Sequence, residues 1–347
     1  MTSPKRVLVT GATGFIASHA IQQLLETTPF FVRGTVRSLR QSDKFAHLTS
    51  LPHADTRLEL VEADLLNADT WTSAMRDCDA VFHIASPYSL AVQDPFKDLV
   101  EPAELGTEHV LLAAIAETSV TDIVLTSSMA AITDAPVPGK VFTESDWNTL
   151  SSLDRNAYYY SKVRGEQKAW ELVKNVPGKR LVVLNPFAVI GPSLTKAINP
   201  SVSILVDPFI GNLPLMANVS MGLVDVRDVA HAHILALTNL EVQGRHILCD
   251  KVLTMQEIMQ SLRSIYTRAK NLPTYTAPNW IVKLSSYFQK PGVGQYIRVN
   301  VGQGKYEVDN TKSTRELGLV YRPLEESMRE TIDNAIEWGF IDRGHIS

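Results

Sequence analysis

One glycine-rich segment near the start of the chain constrains the fold more than any other. The apolar run at residues 7–9 precedes it, and a short β-branched run bounded by a turn is typical of a buried parallel strand. Gly11 permits a sharp turn, and Gly14 permits backbone N–H groups to approach a phosphate at the positive end of a helix. Ala17 follows, with apolar residues at helical spacing. The segment therefore predicts a strand, a tight loop and a helix, and the alternative is an ordinary turn of any α/β protein.

The rest of the first half alternates between strand and helix patterns. Further strands are predicted at 31–36, 58–64, 79–84, 122–128 and 180–185, and helices at 96–118 and 157–173. This alternation predicts an α/β fold with a Rossmann-type doubly wound parallel sheet, which binds ligands at the carboxyl ends of its strands. We assign residues 1–186 to a dinucleotide-binding Rossmann domain, to which parts of 223–250 return. Residues 187–347 are assigned mainly to a smaller C-terminal substrate lobe.

Composition narrows the class of protein. The chain has 347 residues, 45% of them hydrophobic, and a formal net charge of −4, which is typical of a globular protein and argues against a nucleic-acid partner. Cys78 and Cys249 lie in apolar contexts without metal-ligand spacing, so we expect buried thiols and no metal site. No apolar run is long enough to span a bilayer. We therefore expect a cytoplasmic protein without a membrane partner.

The end of the second predicted strand indicates which dinucleotide would bind. NAD sites usually present a carboxylate here, whereas NADP sites present a cation to the 2′-phosphate. This chain has Arg37, followed by Arg40 and Lys44, with no acid before Asp43. The pattern favours NADPH, and a solvated basic turn is the alternative. Asp64, after the third strand, is expected beside the adenine, unless it simply caps the following turn.

A tyrosine and a lysine supply the candidate proton-transfer chemistry. Tyr158 and Lys162 are four residues apart, so they share one face of the predicted helix. A nearby ammonium group favours the phenolate form of a tyrosine and makes its phenol a better acid. Ser128, at the end of the fifth strand, can donate a hydrogen bond to a carbonyl oxygen. Tyr159 is three residues from Lys162 and stays open as an alternative to Tyr158.

Taken together and in this order, the motifs resemble those of the extended short-chain dehydrogenase/reductases. Within that family the chain is most similar to the dihydroflavonol 4-reductase-like group, which includes NADPH-dependent aldehyde and other carbonyl reductases. The matching segments are 10–19, 34–38, 64–65, 83–87, 126–128, 158–162, 185–192, 224–230 and 309–318. The resemblance therefore extends over nearly the whole chain.

The resemblance implies a role for individual residues. It implies a catalytic trio of Ser128, Tyr158 and Lys162. The cofactor contacts that it implies are Gly11, Thr13, Gly14, Phe15, Ile16, Arg37, Lys44, Asp64, Leu65, Ala85, Ser86, Pro87, Tyr158, Lys162, Pro186, Ala188, Val189 and Ser201. The candidate substrate contacts are Ser128, Met129, Thr133, Tyr158, Phe187, Phe209 and Met221, a set whose apolar content favours a hydrophobic or aryl carbonyl.

The expected activity is NADPH-dependent reduction of aldehydes or ketones to alcohols by a monomer or homodimer, with Tyr158 as proton donor. Two departures from the group argue against its best-known substrates. Thr133 stands where plant flavonoid enzymes carry an asparagine, and the Asn-Trp-Tyr signature of cinnamoyl-CoA reductases is absent. A 3β-hydroxysteroid-type dehydrogenase acting oxidatively and a non-catalytic NADP sensor are the alternatives, although sensors usually lose the Tyr-Lys pair. Arg37 argues against a nucleotide-sugar epimerase with bound NAD.

Overall fold

The fold is described by a computed structural model that covers residues 5–86, 92–289 and 291–345. The strands are β1 (Arg6–Val9), β2 (Phe31–Val36), β3 (Leu58–Glu62), β4 (Ala80–His83), β5 (Asp122–Thr126), β6 (Val141–Phe142), β7 (Arg180–Pro186), β8 (Ala188–Ile190), β9 (Ser220–Asp225), β10 (Gly244–Leu248), β11 (Lys251–Thr254) and β12 (Glu307–Val308). The helices are α1 (Phe15–Thr27), α2 (Ala46–Thr49), α3 (Ala54–Arg57), α4 (Asp69–Met75), α5 (Glu101–Ala116), α6 (Leu153–Val173), α7 (Pro200–Val206), α8 (Val226–Thr238), α9 (Met255–Ile265), α10 (Asn279–Ser285), α11 (Pro291–Asn300), α12 (Thr311–Glu316) and α13 (Leu324–Glu337).

A seven-stranded sheet forms the centre of the fold. Its strand order is β3-β2-β1-β4-β5-β7-β10, and every neighbouring pair is parallel. The direction of winding reverses between β1 and β4, so a crevice opens outside their carboxyl ends, where such sheets bind ligands. The predicted Rossmann-type sheet is confirmed. The helix predicted at 96–118 begins as a π-helical turn, Phe96–Val100, and continues as α5.

Helices cover both faces of this sheet, and β1 shows why. Successive side chains of a strand point to opposite faces, and Val7 and Val9 accordingly pack in one core with residues of α1 and α8. Leu8 packs in the other core with Trp71 of α4 and with residues of α5 and α6. All three β1 residues are fully buried. This burial on both faces explains why the strand reads as a continuous apolar run.

A second, smaller sheet lies in the second half of the chain. Its order is β11-β9-β8, in which β8 and β9 are parallel and β11 is antiparallel to β9. Residues of α7, α9 and α13 pack around it in a separate core. Strand β10, which lies between β9 and β11 in the chain, instead pairs with β7 in the central sheet. The division into domains at residue 186 stays a prediction.

The two cysteines are buried and free, as the sequence predicts. Burial raises the pKa of Cys78 to about 11 and that of Cys249 to about 12. Of the helices that the structure describes, none is long and apolar enough to cross a membrane. The described residues also hold no group of three or more His, Cys, Asp or Glu side chains suited to a metal ion.

A capping box at the start of α9 yields a stability prediction. The Thr254 hydroxyl accepts a hydrogen bond from the Glu257 N–H (3.1 Å), and the Glu257 carboxylate accepts one from the Thr254 N–H (2.7 Å). Thr254→Ala removes the first bond, so we expect the free energy of unfolding to fall by about 1 kcal/mol. Urea denaturation measures it. The control is Thr314→Ala, because that hydroxyl only bonds a carbonyl within its own helix; equal losses would contradict the prediction.

Candidate active site at the carboxyl ends of the strands

The loop after β1 is held closely against its neighbours. Gly11 has a φ of +66°, in the left-handed region that favours glycine. A Cβ atom at this position would lie 2.9 Å from the Cβ of Ala85, which follows β4. The Gly11 N–H donates to the Thr35 hydroxyl (3.0 Å), and the Ala12 N–H donates to the Thr35 carbonyl (2.9 Å). The loop therefore requires glycine for both its conformation and its close approach to β4.

The start of α1 has the properties of a pyrophosphate-binding site. Gly14 is its N-cap, without a side-chain hydrogen bond among the described residues, and the first turn contains no acid. The first intrahelical bond to the N-cap is that of the Ser18 N–H, 2.9 Å from the Gly14 carbonyl, so the N–H groups of the first turn remain available. Thr13 and Gly14 are exposed beside them. These groups and the helix dipole fit an anionic ligand, as the predicted cofactor requires.

The ends of β2 and β3 lie side by side, because Val36 is paired with Glu62 in the parallel register. Arg37 is exposed at the end of β2 and forms no salt bridge within the described part of the chain. Lys44 is likewise exposed. Asp64 follows β3, and its carboxylate accepts the Leu66 N–H at 2.9 Å. The structure thus brings the predicted cationic and adenine-binding residues to adjacent strand ends.

Lys162 connects helix α6 with the end of β4. Its Nζ donates to the Ser86 hydroxyl at 2.9 Å and lies 5.7 Å from the centroid of the Tyr158 ring. Burial lowers the pKa of Lys162 to about 8. The side chain therefore carries a charge at neutral pH while it is largely removed from water. The ammonium group of Lys162 therefore contacts the predicted cofactor residue Ser86 and lies beside Tyr158, the predicted proton donor.

Helix α6 is kinked two residues before Tyr158. Asn156 has non-helical dihedral angles (φ −161°, ψ 83°), and its side-chain oxygen accepts the Tyr159 N–H at 3.4 Å. The Ala157 N–H donates to the side-chain oxygen of Gln295 at 3.3 Å. Asn156 thus acts as the N-cap of the segment that carries Tyr158, as asparagine commonly does. The predicted start of the helix near residue 157 coincides with this restart inside α6.

The surroundings of Tyr159 differ from those of Tyr158. The Tyr159 ring lies 6.0 Å from the Tyr158 ring and 6.2 Å from the Tyr296 ring, measured between centroids. Burial, helped by Tyr296, Tyr158 and Asp134, raises the pKa of Tyr159 well above its ordinary value. This shift opposes proton release. Tyr159 is therefore a weaker acid than an ordinary tyrosine, and the choice of Tyr158 stays a prediction.

Ser128 lies two residues after the end of β5 and caps a short 3₁₀ turn, Met129–Ala131. Its hydroxyl accepts the Ala130 N–H at 3.1 Å, and its carbonyl accepts an N–H of the Asn185 side chain at 3.1 Å. Helix α6 packs against this turn. Ser128 is therefore held at the strand end that faces the helix bearing Tyr158.

The predicted substrate residues lie in two clusters. In the first cluster, Met129 packs with Phe187. Thr133, four residues after Met129, is buried, and its hydroxyl donates to the Ala135 carbonyl (2.9 Å). Phe209 and Met221 belong to the core around the second sheet, and Phe209 is only 1% exposed. Phe187 also packs against that second cluster. The structure therefore connects the two groups through Phe187.

The remaining predicted cofactor residues follow β7. Pro186 is the last residue of β7, Ala188 and Val189 belong to β8, and Ser201 lies in the first turn of α7. Leu65, Ala85, Ser86 and Lys162 share the lining of one cavity between α5, α6 and the sheet. Pro87 lies outside the described residues.

The same cavity contains polar residues that the sequence reasoning did not assign to the site. It is also lined by His83, Ser127 and Glu166, and Glu166 is almost fully buried. The sequence could have indicated Glu166, because it stands four residues after Lys162 and therefore lies on the same face of α6. A carboxylate on an otherwise buried helix face requires a partner.

His83 is buried beside this cavity. The Thr10 hydroxyl oxygen accepts the N–H groups of Ile84 (3.0 Å) and Ala85 (2.9 Å) and lies 3.0 Å from His83 Nδ1. Because that oxygen already accepts two hydrogen bonds, the Thr10 hydroxyl donates its hydrogen to Nδ1 of His83. Nδ1 therefore carries no proton, and the ring proton of neutral His83 is on Nε2. Burial and then the charge of Lys162 lower the pKa of His83 to about 3. His83 is therefore neutral at physiological pH.

Comparison with known proteins agrees with this geometry. Residues 7–249 match the model of the NAD dependent epimerase/dehydratase family. The chain belongs to this family. It is 36% identical to a cinnamoyl-CoA reductase of Medicago truncatula (96% of both chains) and 30% identical to dihydroflavonol 4-reductase of Arabidopsis thaliana (98% of this chain, 85% of that one). The structure of Gre2 from Candida albicans in complex with NADPH superposes with a TM-score of 0.80 (28% identity; 97% of this chain, 100% of that one). The predicted family and the predicted oxidoreductase class are confirmed.

The shifted pKa of His83 predicts how stability depends on pH. The unfolded chain binds a proton at this residue below its ordinary pKa of 6.5, whereas the folded protein does so only near pH 3. Stability is therefore retained above pH 6.5 and lost as the pH falls, by up to about 1.4 kcal/mol per pH unit for this group. His83→Gln should reduce that slope in urea denaturation between pH 6.5 and 4.5. The control, exposed His53→Gln, should leave it unchanged, and an unchanged slope in His83→Gln would refute the prediction.

Proposed function

We propose that this member of the family reduces hydrophobic or aryl aldehydes and ketones to alcohols with NADPH, and that Tyr158 donates the proton. The observation that carries the proposal is the position of Lys162, whose ammonium lies beside the Tyr158 ring and bonds Ser86 at the end of β4. A lysine in that place can serve the tyrosine and a cofactor in the crevice together. The reductases among the relatives support the same reaction class.

NADPH is the cofactor that the strand ends fit. The N–H groups at the start of α1 would hold its pyrophosphate, and the exposed Arg37 and Lys44 would hold the 2′-phosphate. Asp64 would accept the adenine amine, and Tyr158 and Lys162 would contact the nicotinamide ribose. When bound, NADPH supplies the hydride. The similar Candida structure, solved with NADPH, supports this choice.

The residues of the chain supply the proton and stabilise charge. The Tyr158 hydroxyl donates its proton to the carbonyl oxygen as negative charge develops there. The Ser128 hydroxyl donates a hydrogen bond to the same oxygen. Lys162, charged at neutral pH, stabilises the phenolate that Tyr158 becomes. The Ser86 hydroxyl accepts a hydrogen bond from Lys162 and so fixes the direction of its ammonium group.

Aromatic side chains beside Tyr158 support an aryl substrate. Tyr159 and Tyr296 are partly exposed. The Tyr159 ring lies next to the Tyr158 ring, and the Tyr296 ring lies next to that of Tyr159. Aromatic pairs in offset or edge-to-face arrangements are worth about 0.5–1.5 kcal/mol beyond the burial of their area. A planar ring bound beside them would gain such contacts.

The proton-donor role is tested with a matched pair of variants. Tyr158→Phe removes the acid, so kcat for NADPH-dependent reduction should fall by about 100-fold or more. Tyr159→Phe should retain kcat because its environment opposes proton release. Both are measured by NADPH absorbance against an aryl aldehyde, a vicinal diketone, a dihydroflavonol, a 3-ketosteroid and an aryl acyl-CoA thioester. Full turnover by Tyr158→Phe on a substrate that the wild type reduces would disprove the assignment.

The cofactor preference is tested at the end of β2. Arg37→Ser removes the charge-assisted bonds to the 2′-phosphate, each worth about 1.5–3 kcal/mol, so KM for NADPH should rise by about 10–100-fold. KM for NADH, which lacks that phosphate, should not change. Arg40→Ser serves as the control for general loss of positive charge. Equal increases for both dinucleotides would mean that Arg37 does not read the phosphate.

A further inference from the structure

A buried carboxylate on the catalytic helix takes no part in the proposed proton transfer. Glu166 is 1% exposed and lies one helical turn after Lys162 on α6. Its two oxygens accept hydrogen bonds from four side chains. They are Ser127 (2.5 Å), Asn185 (2.8 Å), Arg245 (2.6 Å) and Trp170 (3.2 Å). One side chain on α6 is thereby connected to β7, to β10 and to the residue after β5, at three neighbouring strands of the central sheet.

The cation in this network is itself fixed. Arg245 is buried, and its guanidinium donates to the backbone carbonyls of Glu144 (3.0 Å) and Asp146. It also stacks over the Trp147 ring at 4.0 Å from the centroid. Because both the charge and the plane of the guanidinium are held, the carboxylate of Glu166 has one preferred position.

Stability alone does not explain this arrangement. A buried ion pair loses much of its attraction to desolvation and often contributes less than apolar residues of the same volume. Asn185 adds a cost, since its side-chain oxygen is buried without a hydrogen-bond partner in the described part of the chain. Networks of this kind are retained where they fix a geometry.

The network reaches the reacting residues from both sides. The Asn185 amide that bonds Glu166 also donates to the carbonyl of Ser128 (3.1 Å), and Ser127 directly precedes Ser128. On the helix, Glu166 and Lys162 are separated by a single turn. The carboxylate therefore connects the strand end that carries the serine with the helix that carries the lysine and the tyrosine.

We propose that Glu166 is a positioning residue, which acts through Ser127, Asn185 and Arg245 to hold Ser128 in register with Tyr158 and Lys162. The proposed reaction assigns it no contact with the cofactor or the substrate. The inference rests on the proposed function, because that function gives Ser128 and Tyr158 one common carbonyl oxygen. A displacement of about 1 Å between such groups can reduce a rate by about 100-fold.

The same two strands provide a matched control. Asp122 begins β5 and Arg180 begins β7, and their side chains form an ion pair of 2.7 Å in which Asp122 is 4% exposed. This pair lies at the amino ends of the strands, away from the site. Asp122→Asn therefore tests what the loss of a buried carboxylate does to the fold alone.

The experiment compares Glu166→Gln with Asp122→Asn by steady-state kinetics and thermal unfolding. Glu166→Gln should lower kcat by about 100-fold and leave KM for NADPH and for the carbonyl substrate within about twofold, whereas Asp122→Asn should retain kcat. Ser127→Ala removes one hydrogen bond to Glu166 but keeps its ion pair with Arg245, and it should also lower kcat. This variant replaces Glu166→Gln if Glu166→Gln does not fold. Unchanged kcat in Glu166→Gln or Ser127→Ala would overturn the proposal, as would an equal loss in Asp122→Asn.

Failure of the proposed function would be visible separately. In that case the wild type would bind NADPH, measured by fluorescence, and reduce none of the carbonyls. The positioning role would then be decided by crystal structures of the wild type and Glu166→Gln. A change of more than about 0.5 Å in the distance from Ser128 Oγ to Lys162 Nζ supports the proposal, and an unchanged distance overturns it.

Discussion

The position of β1 between β2 and β4 is the constraint on which the rest of the site depends. Its backbone pairs with β2 on one side and with β4 on the other, and the chain winds outward in both directions from it. The carboxyl ends of the strands therefore meet along one edge of the sheet. The glycine loop, Arg37, Ser86 and Ser128 all follow strands that end on this edge. Without that order, residues more than 100 positions apart would not meet at one edge of the sheet.

Features that are local in the chain could be predicted from the sequence. The strand-loop-helix at Gly11 depends on backbone freedom and on periodicity within 20 residues. The Tyr158–Lys162 pair depends only on the helical repeat. The restart of the helix near residue 157 follows from the capping chemistry of an asparagine next to it. In each case the physical cause lies inside the segment that shows the effect.

Contacts between distant segments were not predictable in this way. Glu166 and Arg245 are 79 residues apart, and Ala157 and Gln295 are 138 apart. Nothing in the sequence around Arg245 distinguishes a buried arginine from one on the surface. The predicted substrate residues show the same limit, because Phe209 is an apolar residue that packs in the second core. Periodicity shows that a residue is buried but not which neighbours it meets.

Charge balance around Lys162 explains why the network has its particular composition. A carboxylate one turn away would ordinarily pair with the lysine and hold its ammonium away from the crevice. Instead Glu166 pairs with Arg245, and no carboxylate of the described residues forms a salt bridge with Lys162. Its ammonium donates to the neutral hydroxyl of Ser86, and the nearby His83 is kept uncharged by burial. The positive charge therefore remains directed toward the phenol of Tyr158 and the crevice, where the proposed reaction requires it.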